Sequence, residues 1–402
     1  MCIVNVMCCD AGVLKTPLPA ASRTDQSLLK SSFNDHRLNE YNPKGFLSML
    51  RRSLLMLGLS FALPVAGLGM LPQSTFAGDT YTSADAAGLI YTLQGEYLGV
   101  IESWNGTWGA QVIAVGPKEL DVHLLQGGLP GDGYKGREPS KQCRAQADDK
   151  QSAGKGDGFK VTIDGSSLIV SDSEGKKLGE LSKIKRESKT LGMEPPKGAT
   201  ILFDGSNADG FQGGKLIEEK LLGVGCTSRE AFQDHKLHIE FRTPFQPSDS
   251  GQGRGNSGVY IQGRYELQVL DSFGLRGENN ECGGIYQIAQ PRLNMCYPPL
   301  SWQTYDIDFT APKFGDDGKK TSNARVTIRH NGVLIHDDLE LPRETPGGTS
   351  GEIKEGGPLY LQDHGNPVAF RNIWIVADKP EAKPPTIEKK DRGKINIGDV
   401  LK

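Results

Sequence analysis

Short runs of alternating apolar and polar residues recur between residues 80 and 377. Alternation with a period of two is typical of strands that bury one face. Turn signals separate the runs: Asp164-Gly165 and Glu174-Gly175 have hairpin chemistry, and Asn331-Gly332 predicts a type I′ hairpin. Residues 199–377 show no convincing 3.6-residue apolar period. The pattern therefore predicts an all-β protein with few helices.

Two segments without apolar periodicity divide the chain. Residues 185–198 are charged and contain prolines, so they predict a linker, whereas residues 378–402 are rich in Lys and Pro and predict a disordered tail. The linker separates a small β-rich domain at residues 78–184 from residues 199–377, which predict a two-sheet jelly roll.

The small β-rich domain has five strand-like runs, and we expect a sandwich or a barrel. The runs lie at residues 89–101, 109–115, 119–125, 159–163 and 167–172. Residues 127–158 are rich in glycine and charge, so they predict loops. The sequence gives no indication of what this domain does.

The N-terminal region has the order of features found in a signal peptide. Arg51 and Arg52 precede an apolar run at residues 54–71, and Thr75-Phe76-Ala77 follows as a small-residue cleavage site. Residues 1–48 are polar and aperiodic, so we expect translation to begin at Met49 and residues 49–77 to be the signal peptide. This predicts export to the periplasm or beyond, without a stable membrane span after cleavage; an uncleaved anchor is the alternative.

Composition excludes several classes of protein. The 402 residues include 51 Gly and 23 Pro without a collagen period, which fits many tight turns. Because 46 basic residues balance 49 acidic ones, for a net charge of -3, nucleic acid is not expected as a partner. A mean hydropathy of -0.42 excludes a polytopic membrane protein.

Four cysteines lie beyond the predicted signal peptide, and they form no C-x-x-C pair. The spacing therefore gives no support for a zinc ribbon or a thioredoxin-like site. In an exported protein, Cys282 and Cys296 are the best-spaced candidates for a disulfide, and buried thiols are the alternative.

Alternation also sorts the polar side chains of the jelly-roll strands. If the strands share one sheet, a single polar face gathers Glu240, Arg242, Tyr260, Glu266, Gln268, Gln362 and His364. This face is poor in Lys and rich in Gln, His, Tyr and carboxylates, which favours sugar binding over an ordinary solvated face. Neighbouring carboxylates there would suit either a retaining or an inverting glycosidase, and the sequence does not choose between them.

Two further features bear on the chemistry of this face. The loop at residues 251–258 alternates glycine with polar residues but lacks a following Lys-Ser/Thr, so it predicts a tight rim loop that positions Arg254 and Asn256 rather than a nucleotide site. The sequence does not decide whether a divalent metal ion acts as a cofactor. His238, Asp306, Asp308 and His364 offer ligand atoms without a short-range ligand motif.

An ordered set of motifs in residues 199–377 resembles the 3-keto-disaccharide hydrolase family. The motifs are Leu202-Phe203-Asp204-Gly205, His238-Ile239-Glu240-Phe241-Arg242, Asn256-Ser257-Gly258-Val259-Tyr260, Tyr265-Glu266-Leu267-Gln268-Val269-Leu270-Asp271, Gly284-Ile285-Tyr286, Trp302-Gln303-Thr304-Tyr305, Leu361-Gln362-Asp363-His364-Gly365 and Val368-Ala369-Phe370-Arg371-Asn372-Ile373. The resemblance implies a concanavalin-like jelly roll that binds an oligosaccharide or glycoside on its concave sheet. It also implies cleavage of a glycosidic bond in a sugar oxidised at C3, by elimination followed by hydration.

This resemblance suggests roles for particular side chains. Glu266 is the leading acid or base, His364 is the second, and Asp271 is either re-aimed into the site by a bulge or the cap of a turn. Residues expected to hold hydroxyls or the ketone, or to stack on the sugar, are Asn256, Gln268, Tyr286, Trp302 and Arg371. The alternative is a non-catalytic, lectin-like protein. An ordinary glucanase is less favoured, because the E-x-D-x-x-E strand motif is absent at residues 266–271.

Overall fold

The computed structural model describes residues 78–377, which contain one α-helix, α1 (Ala84–Leu93), and two short 3-10 turns (Glu102–Trp104 and Gly251–Gly253). The predicted signal peptide, the predicted start at Met49 and the predicted tail lie outside the described residues. No helix within residues 78–377 has both the length and the apolar character needed to cross a membrane.

Residues 95–184 form a closed eight-stranded antiparallel barrel. The strands of this part of the chain are β1 (Gly95–Ile101), β2 (Gly106–Ala114), β3 (Glu119–Gln126), β4 (Leu129–Pro130), β5 (Gly133–Tyr134), β6 (Lys141–Ala147), β7 (Ser152–Gly156), β8 (Phe159–Ile163), β9 (Ser167–Asp172) and β10 (Lys177–Ile184). The barrel order is β1-β10-β9-β8-β7-β6-β3-β2, and β4 with β5 forms a separate two-stranded ribbon. Closure removes free sheet edges, and alternate residues such as Val112, Val122 and Val170 fill the interior.

Two predictions for the barrel are wrong. Helix α1 replaces the first part of the strand expected at residues 89–101, because Ala87, Ile90 and Leu93 recur every three residues and pack together into the barrel core. Strands β6 and β7 occupy part of the segment expected to be loops. Ala145 is the one fully buried apolar residue of β6, so apolar alternation is too weak there to reveal the strand.

Residues 199–377 form a two-sheet sandwich. Its strands are β11 (Thr200–Phe203), β12 (Phe211–Gln212), β13 (Leu216–Ile217), β14 (Leu221–Leu222), β15 (Cys226–Phe232), β16 (His235–Arg242), β17 (Ser257–Ile261), β18 (Tyr265–Val269), β19 (Gln303–Thr310), β20 (Lys313–Phe314), β21 (Lys320–Ser322), β22 (Ala324–His330), β23 (Val333–Leu341), β24 (Gly357–Leu361) and β25 (Ala369–Ala377). The large sheet has eight strands in the order β13-β14-β25-β16-β19-β22-β23, with β11 also paired to β25; the small sheet has five in the order β12-β15-β24-β17-β18. The all-β, jelly-roll-like fold is confirmed.

The alternation of side chains in the sandwich is as predicted, but the assignment of strands to one sheet is wrong. Ile239 and Phe241 of β16 pack in the core together with Val259 of β17 and Leu267 of β18. Strand β16 belongs to the large sheet, whereas β17, β18 and β24 belong to the small one. The polar side chains therefore divide between the two outer faces of the sandwich.

The predicted hairpins are confirmed by backbone geometry. Asn331 and Gly332 join β22 to β23 with φ of 51° and 78°, as a type I′ turn requires. Gly165 and Gly175, with φ of 88° and 98°, lie in the turns that join β8 to β9 and β9 to β10.

Residues 185–198 contain neither helix nor strand, yet they are anchored to the outer face of the large sheet. Thr190 Oγ1 donates to Asp306 Oδ2 at 2.6 Å, and the Gly192 amide donates to Glu240 Oε1 at 2.6 Å. The Trp374 indole donates to the Met193 carbonyl at 3.2 Å. We call this segment the strap.

Candidate functional site

A polar cavity of about 110 Å³ lies on the outer face of the small sheet. It is lined by Gln252, Asn256, Tyr260, Glu266, Gln268, Tyr286, Pro346, Gly347, Gln362 and His364. Strands β17 and β18 pair in a register that places Tyr260 opposite Glu266 and Gly258 opposite Gln268, so these four residues share one face. The structure thus gathers the small-sheet residues predicted from the sequence.

Glu266 has a carboxyl group that titrates near neutral pH. Its side chain is buried, and burial raises its pKa to about 7 even though a hydrogen bond from Tyr260 acts to lower it. The Tyr260 hydroxyl donates to Glu266 Oε2 at 2.8 Å. A carboxyl group with this pKa can take up and release a proton at neutral pH, as a general base or acid must.

Tyr260 connects Glu266 to a small proton network. Its hydroxyl oxygen also lies 2.9 Å from the Pro346 carbonyl and accepts a hydrogen bond from Gln362 Nε2 at 3.2 Å. A phenol has one proton, so Tyr260 donates either to Glu266 or to Pro346. When Glu266 carries a proton it can donate to Tyr260, which then donates to Pro346; when Glu266 ionises, Tyr260 donates to the carboxylate.

Two amide groups of the cavity keep an acceptor oxygen available. Gln268 Nε2 donates to Asn256 Oδ1 at 2.8 Å and to the Ser257 carbonyl at 3.1 Å, which fixes the orientation of the amide. Gln268 Oε1 and Gln362 Oε1 are buried and accept no hydrogen bond from residues 78–377. Buried acceptors are costly to leave unpaired, and hydroxyl groups of a ligand would satisfy them.

Glycines beside Glu266 and Tyr260 leave room for this arrangement. A Cβ atom on Gly258 would lie 2.5 Å from Glu266 Oε1, and one on Gly347 would lie 2.6 Å from the Tyr260 hydroxyl. Gly347 also has a φ of 85°, which favours glycine.

The remaining predicted residues of the cavity lie nearer its rim. His364 is exposed, and Tyr286 is half-buried with its backbone amide donating to the Glu266 carbonyl at 3.1 Å. Gln252, Pro346 and Gly347 also line the cavity and were not among the predicted site residues. Gln252 belongs to the glycine-rich loop that was recognised, and Pro346-Gly347-Gly348 is a turn signal without alternation to connect it to the site.

Asp271 does not line this cavity, so the expectation that a bulge aims it into the site is wrong. Its side chain is fully buried, and Asp271 Oδ2 accepts a hydrogen bond from Arg254 Nε at 2.6 Å. The Arg254 guanidinium holds the carboxylate away from the polar face of β18.

Four predicted sugar-binding residues lie instead on the large sheet. Arg371 stacks on the Trp302 ring at 4.0 Å, and Arg242 lies 5.2 Å from the centre of the same ring. Arg371 Nε also donates to Glu240 Oε2 at 2.7 Å. The prediction that Glu240, Arg242, Trp302 and Arg371 share a site with Glu266 is therefore wrong, because these four residues belong to the large sheet or lie next to it. Glu240 and Arg371 line a separate cavity of about 580 Å³, which the strap also lines.

Glu240 is held as a fully paired ion. Burial acts to raise its pKa, but hydrogen bonds from Asn372, Gly192 and Arg371, together with the His238 imidazole whose Nε2 lies 3.6 Å from Oε1, lower the pKa to about 2. His238 Nδ1 lies 2.6 Å from Asp306 Oδ1, and these carboxylates raise the pKa of His238 although burial acts to lower it. Glu240 therefore stays ionised near neutral pH and does not suit acid–base catalysis there.

The residues suggested as metal ligands do not meet at one point. His238 contacts Asp306, whereas Asp308 pairs with Lys236 and His364 lies in the loop after β24 of the small sheet. Across residues 78–377, no group of three His, Cys, Asp or Glu side chains is arranged to hold a metal ion.

The predicted disulfide is wrong, because Cys282 and Cys296 are free thiols. Both are buried in the sandwich core within hydrogen-bonding reach of each other, and Cys282 Sγ also lies 3.2 Å from the Tyr305 hydroxyl. The alternative prediction of buried thiols fits the structure.

The small-sheet cavity of this two-sheet sandwich combines amides, hydroxyls and a carboxyl group, and lectin domains are among the proteins that share a jelly-roll architecture. A model of the 3-keto-alpha-glucoside-1,2-lyase-like domain matches residues 198–376. The chain belongs to this family through those residues, and the match supports a glycosidase-like function. The barrel lies outside the match.

Three solved structures are similar to part of this chain. A crystal structure of a "putative glycosyl hydrolase" from Parabacteroides distasonis is 33% identical, with 46% of this chain and 85% of that chain covered and a TM-score of 0.42. A second structure from the same organism and with the same description is 18% identical, with 46% and 95% covered and a TM-score of 0.34. A third is 17% identical, with 45% and 99% covered and a TM-score of 0.32. No curated protein matches this chain.

Proposed function

We propose that the small-sheet cavity cleaves the glycosidic bond of 3-keto-disaccharides or 3-keto-glycosides, with Glu266 as the base. The observation that carries the proposal is the buried Glu266 carboxyl, whose pKa of about 7 suits proton transfer at neutral pH. The family match supports a glycoside as substrate.

The chemistry needs one base at C2 of the sugar. A ketone at C3 acidifies the C2 proton, and when Glu266 takes this proton the C2–H electrons are delocalised onto the ketone oxygen as an enolate. As the ketone re-forms, a double bond forms between C1 and C2 while the bond from C1 to the leaving oxygen breaks, and that oxygen takes up a proton. His364, exposed at the rim, is the candidate donor of that proton. Addition of water across the double bond completes a net hydrolysis.

The composition of the cavity favours elimination over a two-carboxylate glycosidase. Glu266 is the one carboxylate among the ten residues that line the cavity, whereas Glu240 and Asp271 are buried in ion pairs elsewhere. Retaining and inverting glycosidases need a second carboxyl group across the scissile bond. A single carboxyl group is sufficient for abstraction of an acidified C2 proton.

Neutral side chains would hold the sugar. Gln268 Oε1 and Gln362 Oε1 can accept hydrogen bonds from hydroxyl groups, and the Tyr286 phenol can donate to the ketone. These groups suit an uncharged ligand, because they offer hydrogen bonds without a net charge.

Incubation of the protein with matched 3-keto and non-oxidised disaccharides tests the proposal. We expect release of the leaving sugar from the keto substrate alone. Release from both substrates would indicate an ordinary glycosidase. Binding of the keto sugar without release, measured by calorimetry, would overturn the enzyme proposal in favour of the lectin-like alternative.

We also propose that the chain is exported through residues 49–77. Cell fractionation of the full chain and of a version that begins at residue 78 tests this. Equal cytoplasmic retention of both would contradict it.

A further inference from the structure

The loop that carries Asn256 into the cavity is held on its other side by the barrel. This loop, residues 250–256, connects the segment after β16 to β17. It contains the 3-10 turn Gly251–Gly253 and reaches the cavity through Gln252 and Asn256. We call it the rim loop.

Arg254 joins the rim loop both to the barrel and to Asp271, two residues after β18. Arg254 Nη1 donates to the Ala114 carbonyl of barrel strand β2 at 2.7 Å, and Nε donates to Asp271 Oδ2 at 2.6 Å. The backbone adds a third contact, since the Asp271 amide donates to the Arg254 carbonyl at 3.1 Å. The Arg254 and Asp271 side chains are 7% and 0% exposed, so they form a buried ion pair rather than a surface one. The same guanidinium also holds the barrel carbonyl.

A second tether runs from the segment that precedes α1. The Gly255 amide donates to Gln246 Oε1 at 2.7 Å, and Gln246 Nε2 lies 3.1 Å from Thr80 Oγ1. Gly255 has a φ of 61°, and a Cβ atom there would lie 3.1 Å from Asp271 Cβ. The backbone of the rim loop is therefore packed directly on the Arg254–Asp271 pair.

The next residue transmits this placement to the cavity. Asn256 Oδ1 accepts the hydrogen bond from Gln268 Nε2 at 2.8 Å, which orients the available Gln268 Oε1. The backbone amide of Asn256 donates to Asn366 Oδ1 at 2.7 Å, and Asn366 lies in the loop that follows His364. Two side-chain contacts thus join the rim loop to β18 and the residues just after it: Asn256–Gln268 in the cavity and Arg254–Asp271 at the barrel end.

We propose that Arg254 is a positioning residue through which the barrel sets the geometry of the sugar cavity. The barrel carbonyl at Ala114 fixes the guanidinium, the guanidinium fixes the rim loop against Asp271, and the rim loop holds the Asn256–Gln268 pair ready for sugar hydroxyls. This gives the barrel a role in substrate binding. The nature of the ligand rests on the proposed function, whereas the coupling between barrel and rim loop does not.

The experiment compares two variants that each lose a contact between the barrel and the sandwich: a double variant and a single one. Arg254→Met combined with Asp271→Asn removes the anchor without leaving a buried carboxylate unpaired. Arg137→Ala is the matched control: Arg137 of the barrel donates to the Gly277 and Pro291 carbonyls of the sandwich at 2.5 and 3.3 Å, away from the rim loop. Both changes remove a guanidinium that bridges the barrel and the sandwich.

Hydrogen exchange of the rim-loop amides gives a readout independent of catalysis. We expect the Gly255 and Asn256 amides to exchange on the order of 10-fold faster in the double variant and at the wild-type rate in Arg137→Ala. With a 3-keto-disaccharide, we expect KM to rise about 10-fold in the double variant, with kcat falling less than KM rises, since Asn256 and Gln268 contact the bound sugar.

Unchanged exchange and unchanged KM in a folded double variant would overturn the proposal. Equal effects of both variants would also overturn it, because they would indicate general loosening of the barrel contact. If the wild-type protein binds and cleaves no keto sugar, the proposed function fails, and the exchange comparison alone decides the coupling.

Discussion

Tyr260 and Glu266 face each other across strands β17 and β18 and share a hydrogen bond of 2.8 Å. Two opposing effects meet at this pair: burial raises the pKa of Glu266, and the hydrogen bond from Tyr260 lowers it, with a result of about 7. The proposed catalytic group is therefore poised by a neighbour that the strand register places directly opposite.

The rate should depend on pH in the sense that a general base requires. As Glu266 loses its proton, the acidic limb of the kcat/KM profile for a 3-keto-disaccharide should rise through an apparent pKa of about 7. Tyr260→Phe removes the hydrogen bond that lowers this pKa, so the midpoint should move to higher pH by about one unit.

Tyr360→Phe is the matched control for this shift, because Tyr360 packs against the Tyr260 ring at 5.3 Å between ring centres. Its midpoint should stay at the wild-type value. A Tyr260→Phe midpoint that is unchanged or moves to lower pH would show that the hydrogen bond does not tune Glu266.

The raised pKa should also cost stability at neutral pH. The folded state binds the Glu266 proton more tightly than the unfolded chain, so its contribution is fully present below about pH 4.5 and is lost as pH rises through about 7. Glu266→Gln does not ionise. Its advantage over wild type in the free energy of unfolding should therefore grow between pH 4 and pH 8, by on the order of 3 kcal/mol.

Urea unfolding at these two pH values measures the difference, and Glu240→Gln serves as a contrast of opposite sign. The pKa of Glu240 is lowered to about 2. Its carboxylate therefore stabilises the folded state at pH values above the ordinary pKa of a glutamate, and this stabilisation is lost as the pH falls towards 2. Glu240→Gln should destabilise the protein most at neutral pH. The same sign of change for both variants would contradict the two pKa shifts.

Gly258 should be required for activity because of the space beside Glu266. A methyl group at this position would approach Glu266 Oε1 to 2.5 Å and displace the carboxylate. We expect Gly258→Ala to lower kcat/KM on the order of 10- to 100-fold. Gly253→Ala places its Cβ in open space in the rim loop and should stay within about 2-fold of wild type. Equal rates for the two variants would show that the carboxylate tolerates displacement.

The large sheet should contribute stability rather than sugar binding. Trp302→Ala removes the ring on which Arg371 and Arg242 stack and should lower the free energy of unfolding by about 1–3 kcal/mol. KM for the keto substrate should not change, because Trp302 does not line the small-sheet cavity. A large rise in KM with unchanged stability would return Trp302 to the substrate site.

Local pattern predicted much of this fold but not the pairing of distant strands. Alternation correctly assigned Ile239 and Leu267 to the core and therefore Glu240 and Glu266 to outer faces. Which outer face each joins depends on the order of strands in two sheets, and no pattern within a strand encodes that order. The same limit explains why Arg371 and Trp302 were placed with Glu266.

The chemistry of individual groups was predictable only where it is local. Glu266 could be singled out from its motif, but its pKa depends on burial, and the cavity around it includes residues distant in sequence such as Pro346 and Gly347. Asp271 illustrates the opposite case: its motif resembled a catalytic position, and a partner 17 residues earlier, Arg254, removes it from the cavity. The barrel contact at Ala114 likewise has no signature in the sequence.

Exchange of the substrate C2 proton measures the central claim most directly. Wild-type protein and Glu266→Gln are each incubated in deuterated water with a 3-keto-disaccharide, and both C2 deuteration and release of the leaving sugar are followed by NMR, with binding measured by calorimetry. We predict that Glu266→Gln binds the sugar with an affinity near that of wild type but loses exchange and release together, by at least about 100-fold. Release at a near-normal rate from Glu266→Gln would contradict the assignment of Glu266 as the base.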